Sequence, residues 1–118
     1  VVADQIGTPT PAALIADVTA QTLRADDPRS GTWHVTATGE TSWHGFAQAI
    51  FDGAVARGLI ARAPTVEAIT TADYPTPAQR PAYSRLDVTT LEHDFGIALP
   101  TWQAGLDGVL DTLGAAQR

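Results

Sequence analysis

The 118-residue sequence predicts an α/β fold in which short strands alternate with helices. Segments rich in β-branched residues are each followed by a segment whose apolar residues recur at helical spacing, and helix-capping residues stand at the junctions. A hydrophobic content of 44% with 17% charged residues is typical of one globular unit.

The first strand and helix are predicted at the start of the chain. Val1 and Val2 resemble the end of a buried strand that leads into the loop ADQIGTPT. A helix is predicted at 11–24, with Thr10 as its cap, because proline at the first helical position lacks only an N–H that would be unpaired anyway.

A second strand and helix follow the turn segment ADDPRSG. TWHVTA alternates and is β-rich, which predicts a strand at 32–37. Thr41 or Ser42 then caps a helix that Gly58 ends. PTVEAIT, at 64–70, predicts a third short strand.

Two helices are predicted after a proline-rich loop, YPTPAQRPAYSRLD. Asp87 caps a short helix that runs to Phe95 and is closed by Gly96, and Thr101 caps a final helix that begins at Trp102. The apolar side of this last helix is formed by Leu106, Val109, Leu110 and Leu113.

Composition excludes several classes of function. The net charge of -6 and the pI near 4.7 argue against binding nucleic acid or an anionic membrane through a general positive field. No 18-residue apolar window and no signal-peptide pattern occur, and the chain has no cysteine and no asparagine. We expect a cytoplasmic protein without disulfides, cysteine metal sites or N-glycosylation.

Two further absences limit the chemistry of the chain. Without methionine, Val1 is not an unprocessed translation start, so we expect a piece of a longer polypeptide. All seven basic residues are arginines, which excludes a Schiff-base lysine, a P-loop and a tyrosine-lysine proton relay within these residues.

No familiar catalytic pattern is present. His34, His44 and His93 lack the spacing of metal ligands and are interpreted as surface or packing residues. The carboxylates form no acid-base pair, the serines lack a G-x-S-x-G context, and no G-x-G-x-x-G joins a strand to a helix.

Two loops remain as candidate binding elements. Asp4 and Gln5 follow a strand end, where ligands of open α/β sheets bind, and Thr10 precedes a helix N-terminus. In the proline-rich loop, Arg80 and Arg85 carry planar guanidinium groups suited to bidentate phosphate contact.

A structural interpretation of the proline-rich loop is equally supported. The prolines would make a rigid linker, and its arginines would pair with nearby acids such as Asp73 and Asp87. The residues alone leave phosphate binding and this linker evenly matched.

Four motifs occur together in this order: D-Q-x-G-x-P-T, G-E-T-S-W-x-G-F-A, R-P-x-x-S-x-L-D and F-G-I-x-L-P-x-W. Their order and spacing resemble the C-terminal part of the dTDP-4-dehydrorhamnose reductase family, a group of extended short-chain dehydrogenase/reductases. The resemblance covers nearly all of the chain and implies the C-terminal substrate-binding part of an extended Rossmann-type reductase.

Members of this family reduce dTDP-4-dehydro-L-rhamnose to dTDP-L-rhamnose with NADPH or NADH. The resemblance implies that an N-terminal Rossmann part carries the cofactor loop and the catalytic tyrosine and lysine, and that residues 1–118 are a single substrate-binding portion without it. We therefore expect no catalytic residue here and no activity from this chain alone, since neither Tyr74 nor Tyr83 is followed by a lysine four positions later.

The resemblance also assigns substrate-binding residues. The first motif lies beside the sugar and the third lies near the nucleotide diphosphate, whereas Tyr83 stands where the family often has asparagine. The substrate-binding residues implied are Asp4, Gln5, Thr10, Arg80, Ser84 and Arg85.

Other interpretations stay open on the sequence. One is a non-catalytic regulatory or binding module of the same fold, and another is a reductase or epimerase for a different nucleotide-sugar. The choice between NADPH and NADH, a magnesium requirement and a homodimer are likewise not decided by these residues.

Overall fold

A computed structural model describes residues 1–25 and 30–116 of the chain. Within them, β1 (Ile6–Gly7) pairs with β2 (Thr41–Ser42), and a 3-10 helix spans Thr71–Asp73. Most of the predicted ADDPRSG turn lies outside the described residues. The α-helices of the described part are α1 (Ala12–Arg24), α2 (Trp43–Ala56), α3 (Thr89–Phe95) and α4 (Trp102–Ala116). The mixture of helices and short strands confirms the predicted fold class.

Capping residues fix most helix ends where the sequence predicts them. Ser42 caps α2 by accepting a hydrogen bond from the Gly45 N–H at 3.0 Å. The Thr101 hydroxyl likewise accepts from the Ala104 N–H at 3.1 Å, at the start of α4. Gly58 and Gly96 adopt φ values of +71° and +63° just beyond α2 and α3, a left-handed conformation that glycine allows.

The prediction that Thr10 caps α1 is wrong. The N-cap residue is Pro11, which has no side-chain capping bond, and its carbonyl accepts from the Leu14 N–H at 3.1 Å. The Thr10 hydroxyl donates to the Thr8 carbonyl at 3.1 Å and accepts from the Ala37 N–H at 3.1 Å. Thr10 therefore connects the loop before α1 to the segment before β2.

The predicted strands are extended segments with little pairing. Residues 32–37 form no strand, and the neighbouring Thr38 makes one bridge to Thr101. The predicted strands at the chain start and at 64–70 meet through a single parallel bridge, Val2 to Ile69. Val1 is 46% exposed, so the prediction of a buried strand there is wrong as well.

One hydrophobic cluster joins α1, α3 and the segments around them. Trp33 packs against it, with its ring 5.2 Å from that of Phe95 and its indole N–H 2.9 Å from the Asp94 carboxylate. The buried members of this cluster are Val18, Val88, Leu91, Ile97 and Leu99. The segment that was predicted as a strand thus contributes side chains to the core without joining a sheet.

A second packing contact holds α2 against α4. Gly53 lets Leu110 approach so closely that a Cβ atom at Gly53 would lie 2.5 Å from Leu110 Cδ1. Arg57, at the end of α2, contacts Asp111 at 2.7 Å and Asp107 at 3.2 Å. This contact sets the position of α2, whose first turn faces the candidate site.

Within residues 1–25 and 30–116, no helix is long and apolar enough to cross a membrane.

Candidate functional site

A cleft of about 350 Å³ opens over β1, which lies between two other segments. On one side Ile6 pairs with Ser42 of β2, and on the other side it bridges Tyr83 in the proline-rich loop. The Ile6 N–H donates to Ala82 at 2.8 Å, and the Ser84 N–H donates to Ile6 at 2.8 Å. The first motif therefore lies between the second and the third, and all three line the cleft.

One wall of the cleft is polar and comes from the proline-rich loop. Arg80, Pro81 and Ser84 line it, and Gln5 joins them from the first loop. Arg80 is exposed, and no ion pair engages its guanidinium within the described part of the chain. An arginine without a protein counter-ion at a cleft wall is available to bind an anion.

The opposite wall is aromatic and comes from the first turn of α2. Trp43 and Phe46 line the cleft there. Phe46 is held by Trp102 of α4, with ring centroids 6.2 Å apart in an edge-on arrangement. Trp43 is 57% exposed. This wall is therefore an aromatic surface supported from behind by the packing of α2 on α4.

Gly7 lines the cleft and leaves room for the side chain of Ser84. A Cβ atom at Gly7 would lie 2.8 Å from the Ser84 hydroxyl oxygen, so a larger residue would push Ser84 or the loop away. The Ser84 hydroxyl is 3.3 Å from the Ile6 carbonyl. The glycine of the D-Q-x-G-x-P-T motif thus permits the close approach of the two motif loops.

Asp4 lies beside the cleft and not among its lining residues. Its carboxylate accepts hydrogen bonds from the Thr71 N–H at 2.8 Å and the Thr71 hydroxyl at 2.6 Å. These bonds, chiefly the one from the hydroxyl, lower the pKa of Asp4. Gln5 donates to the same hydroxyl oxygen at 3.2 Å. In this structure Asp4 therefore holds the loop that carries Gln5.

Of the two arginines in the proline-rich loop, Arg80 lines the cleft and Arg85 does not. Ser84 faces the cleft, whereas Arg85 lines a second pocket of about 390 Å³ together with Tyr83 and Asp87. Successive side chains of an extended segment point to opposite sides, which explains the separation. Arg85 pairs with Glu40 of the second motif at 3.5 Å. The linker interpretation expected the nearby Asp73 or Asp87 instead, and neither makes an ion pair with Arg85 within the described residues.

The structure brings together three of the six assigned residues at the cleft: Gln5, Arg80 and Ser84. Asp4 and Thr10 support the loops around it, and Arg85 lies at the second pocket. The substrate-binding roles of all six stay predictions. No binding role was predicted for Trp43 from the sequence, although Trp43 belongs to the G-E-T-S-W-x-G-F-A motif and lines the cleft.

Magnesium and a nicotinamide cofactor would each need a recognisable set of binding residues. Within the described ranges, no group of three histidine, aspartate or glutamate side chains is arranged to hold a metal ion. The sequence also has no glycine-rich loop between a strand and a helix that could hold a dinucleotide pyrophosphate. Neither magnesium nor a nicotinamide cofactor fits these residues, and no chemical step is derived through either group.

What the cleft offers chemically is recognition. It combines a cation, hydroxyl and amide groups, and an aromatic face around one concave surface. Such a surface suits a ligand that carries both a phosphate group and a flat or apolar ring. No acid-base pair or activated nucleophile lies among its lining residues within the described chain.

Known proteins resemble this chain in sequence. It is 40% identical over 116 residues to dTDP-4-dehydrorhamnose reductase of Shigella flexneri, covering 96% of this chain and 39% of that protein. It is 46% identical over 113 residues to the reductase of the same name from Aggregatibacter actinomycetemcomitans, covering 92% of this chain and 38% of that protein. The chain thus spans about two-fifths of the length of these curated relatives.

Solved structures resemble it in fold. Dehydrorhamnose reductase from Clostridium acetobutylicum matches with a TM-score of 0.83 and 35% identity, over 96% of this chain and 38% of that one. The reductase from Bacillus anthracis, solved in complex with NADP, matches with a TM-score of 0.83 and 31% identity, over 95% of this chain and 37% of that one. These matches confirm the predicted α/β substrate-binding fold.

A family-level comparison covers almost the whole chain. Residues 1–115 match the family described as RmlD substrate binding domain. The matched range includes both motif loops, the two walls of the cleft and the first fourteen residues of α4. The chain therefore belongs to the RmlD substrate-binding domain family.

Proposed function

We propose that this chain is the nucleotide-sugar-binding portion of a reductase that converts dTDP-4-dehydro-L-rhamnose to dTDP-L-rhamnose. The observation that carries the proposal is the cleft over β1, where three family motifs meet and Arg80, which has no ion pair within the described residues, lines one wall. The relatives named dTDP-4-dehydrorhamnose reductase support the choice of substrate.

The proposed role of the cleft is to hold and orient the substrate. Arg80 contacts the diphosphate, and Gln5 and Ser84 offer hydrogen bonds to neighbouring polar groups. Binding energy from the nucleotide diphosphate would then fix the position of the sugar carbon that is reduced. The chain contributes orientation in this proposal and no proton or hydride transfer.

The reductase proposal requires a second part that binds the cofactor. NADP in the Bacillus anthracis structure supports NADPH as the cofactor of the complete protein, bound by a Rossmann part outside these residues. The coding sequence upstream of Val1 tests this directly. A glycine-rich strand-to-helix loop and a tyrosine-x-x-x-lysine there would support the reductase, whereas their absence would favour a non-catalytic binding module.

Arg80 provides the test of the cleft itself. In the complete reductase, we expect Arg80→Ala to raise the KM for the dTDP-sugar about ten- to hundredfold, because a charge-assisted contact to the diphosphate is lost. The KM for NADPH should change far less. Steady-state kinetics with each substrate varied in turn gives both values.

Arg85→Ala is the matched comparison, and it also tests the assignment of Arg85 to the substrate that the family resemblance implied. It removes the same charge from the same loop, but at the second pocket, where Arg85 pairs with Glu40. We expect the KM for the dTDP-sugar to change less than about threefold, the small effect typical of an exposed ion pair. An equal loss in both variants would contradict the placement of the diphosphate in the cleft over β1.

A further inference from the structure

Trp43 differs from the other two tryptophans of the chain. Trp102 is 7% exposed and packs against Phe46, and the indole N–H of Trp33 is bonded to Asp94. Trp43 is 57% exposed at the first residue of α2, and its side chain lines the cleft. Packing of the core therefore does not account for an indole at this position.

The place of Trp43 relative to Arg80 follows from the strand pairing. Ser42, directly before Trp43, lies on one side of Ile6, and Tyr83 lies on the other side. Two strand spacings separate these outer segments, about 10 Å of backbone. The aromatic wall and the cationic wall thus face each other across β1, with Gly7 between them.

We infer that Trp43 is a specificity-determining residue, whose indole face stacks on the base of a nucleoside diphosphate held through its diphosphate at Arg80. The inference rests on the proposed function and extends it by assigning the base to the aromatic wall. A planar base offers a π face to an indole, whereas a saturated sugar ring has no π face and offers only C–H groups.

This arrangement fits the chemistry of the ligand. The base lies at the opposite end of the diphosphate from the sugar, so contact with Trp43 adds affinity without contacting the carbon that is reduced. Phe46 supports the same wall through its edge-on contact with Trp102. Stacking is tolerant of base identity, so the aromatic wall selects for a nucleotide over a simple phosphate.

Calorimetric titration of the complete reductase, separately with dTDP, dTDP-rhamnose and inorganic pyrophosphate, tests the inference. We expect Trp43→Ala to weaken dTDP binding about tenfold, in the range for loss of one stacked base, and to leave pyrophosphate binding unchanged. Trp43→Phe should retain most of the dTDP affinity, because it keeps an aromatic face. Arg80→Ala should weaken both ligands.

Tyr74→Ala is the matched control, since Tyr74 is 65% exposed and does not line the cleft. It should bind dTDP as the wild type does. Far-ultraviolet circular dichroism checks that each variant keeps the helical content of the wild type, which we expect because all three substituted side chains are exposed.

The outcomes separate this inference from the proposed function. Wild-type affinity for dTDP in Trp43→Ala would overturn the stacking and leave the proposed function standing. A loss with dTDP-rhamnose but not with dTDP would assign Trp43 to the sugar and overturn the contact with the base. An equal loss for pyrophosphate would show a general distortion and overturn the inference. Failure of the wild type to bind dTDP would overturn both.

Discussion

Asp4 connects two segments that are 67 residues apart, through its two hydrogen bonds to Thr71. Because both bonds favour the ionised carboxylate, they lower its pKa from the ordinary value of 3.8. Asp73 has a lowered pKa for the same kind of reason, first through the Thr70 N–H and then through its hydroxyl. Thr71 also accepts a hydrogen bond from Gln5, so both carboxylates stabilise the turn to which Gln5 is bonded.

The sign of the pKa shift at Asp4 gives a prediction about acid stability. Its contribution is fully present above about pH 3.8, the unfolded-state value, and is lost as the pH falls through the lower folded-state pKa. Wild-type stability should therefore decline below about pH 4. Asp4→Asn, which cannot ionise, should show a shallower decline over the same range.

Urea unfolding at a series of pH values between about 2 and 6 measures both slopes. Asp17→Asn is a suitable control, because Asp17 is an exposed carboxylate on α1 whose one side-chain partner among the described residues is the neutral amide of Gln21. Identical pH slopes for wild type and Asp4→Asn would contradict a role of the Asp4 charge in stability.

The residues around the cleft also show what sequence reasoning could supply. The family resemblance implied that Gln5, Arg80 and Ser84 bind different parts of one substrate, and the structure places all three at one cleft. The direction of each side chain was not predictable. Ser84 and Arg85 are neighbours in sequence, but an extended backbone sends them to different pockets, and the partner strand decides which one faces the cleft.

At the scale of elements, helices were predicted better than strands. A helix completes its backbone hydrogen bonds within itself, so periodicity and capping residues such as Ser42 and Gly96 suffice to locate it. A strand needs a partner, which its own sequence does not specify. Residues 32–37 alternate as a strand does, yet they pair with no other strand, and Trp33 and Val35 pack against the core instead.

The contact between α2 and α4 leads to a prediction about stability. A Cβ atom at Gly53 would lie 2.5 Å from Leu110 Cδ1, and Leu110 is 4% exposed, so it has little room to move. We expect Gly53→Ala to destabilise the chain, since the cost of overpacking, about 1–3 kcal/mol, exceeds the gain in helix propensity, about 1 kcal/mol.

Gly108→Ala is the matched control in the partner helix. Gly108 lies inside α4, and an added Cβ there would meet no atom within 4 Å. Alanine should therefore stabilise the chain by up to about 1 kcal/mol through helix propensity alone. Denaturant unfolding of the two variants should differ by about 2 kcal/mol, and equal stabilities would show that α2 and α4 are not packed as closely as described.

At the scale of the whole molecule, the chain is flat and exposes much of its surface. Its radius of gyration is 16.8 Å, against about 13.5 Å for a compact domain of this length, and its longest and shortest extents are 49 and 21 Å. Its accessible surface of 7922 Å² is about 1,800 Å² larger than that of a typical compact monomer of this mass. Large hydrophobic residues on the helices contribute to this surface, including Ile15, Leu23, Val109 and Leu113.

This surface gives the last prediction, which concerns the proposed Rossmann part. An interface between two domains of one chain covers about 600–1,500 Å², so the excess surface of residues 1–118 is large enough to supply one. If the two parts pack together, burial of that surface stabilises residues 1–118.

Scanning calorimetry should then show that the midpoint of unfolding is higher when these residues are continuous with the Rossmann part than when the chain is studied alone. The complete protein should also unfold in one transition. Two separate transitions, with that of residues 1–118 at an unchanged temperature, would show that its exposed surface is not an interface with that part.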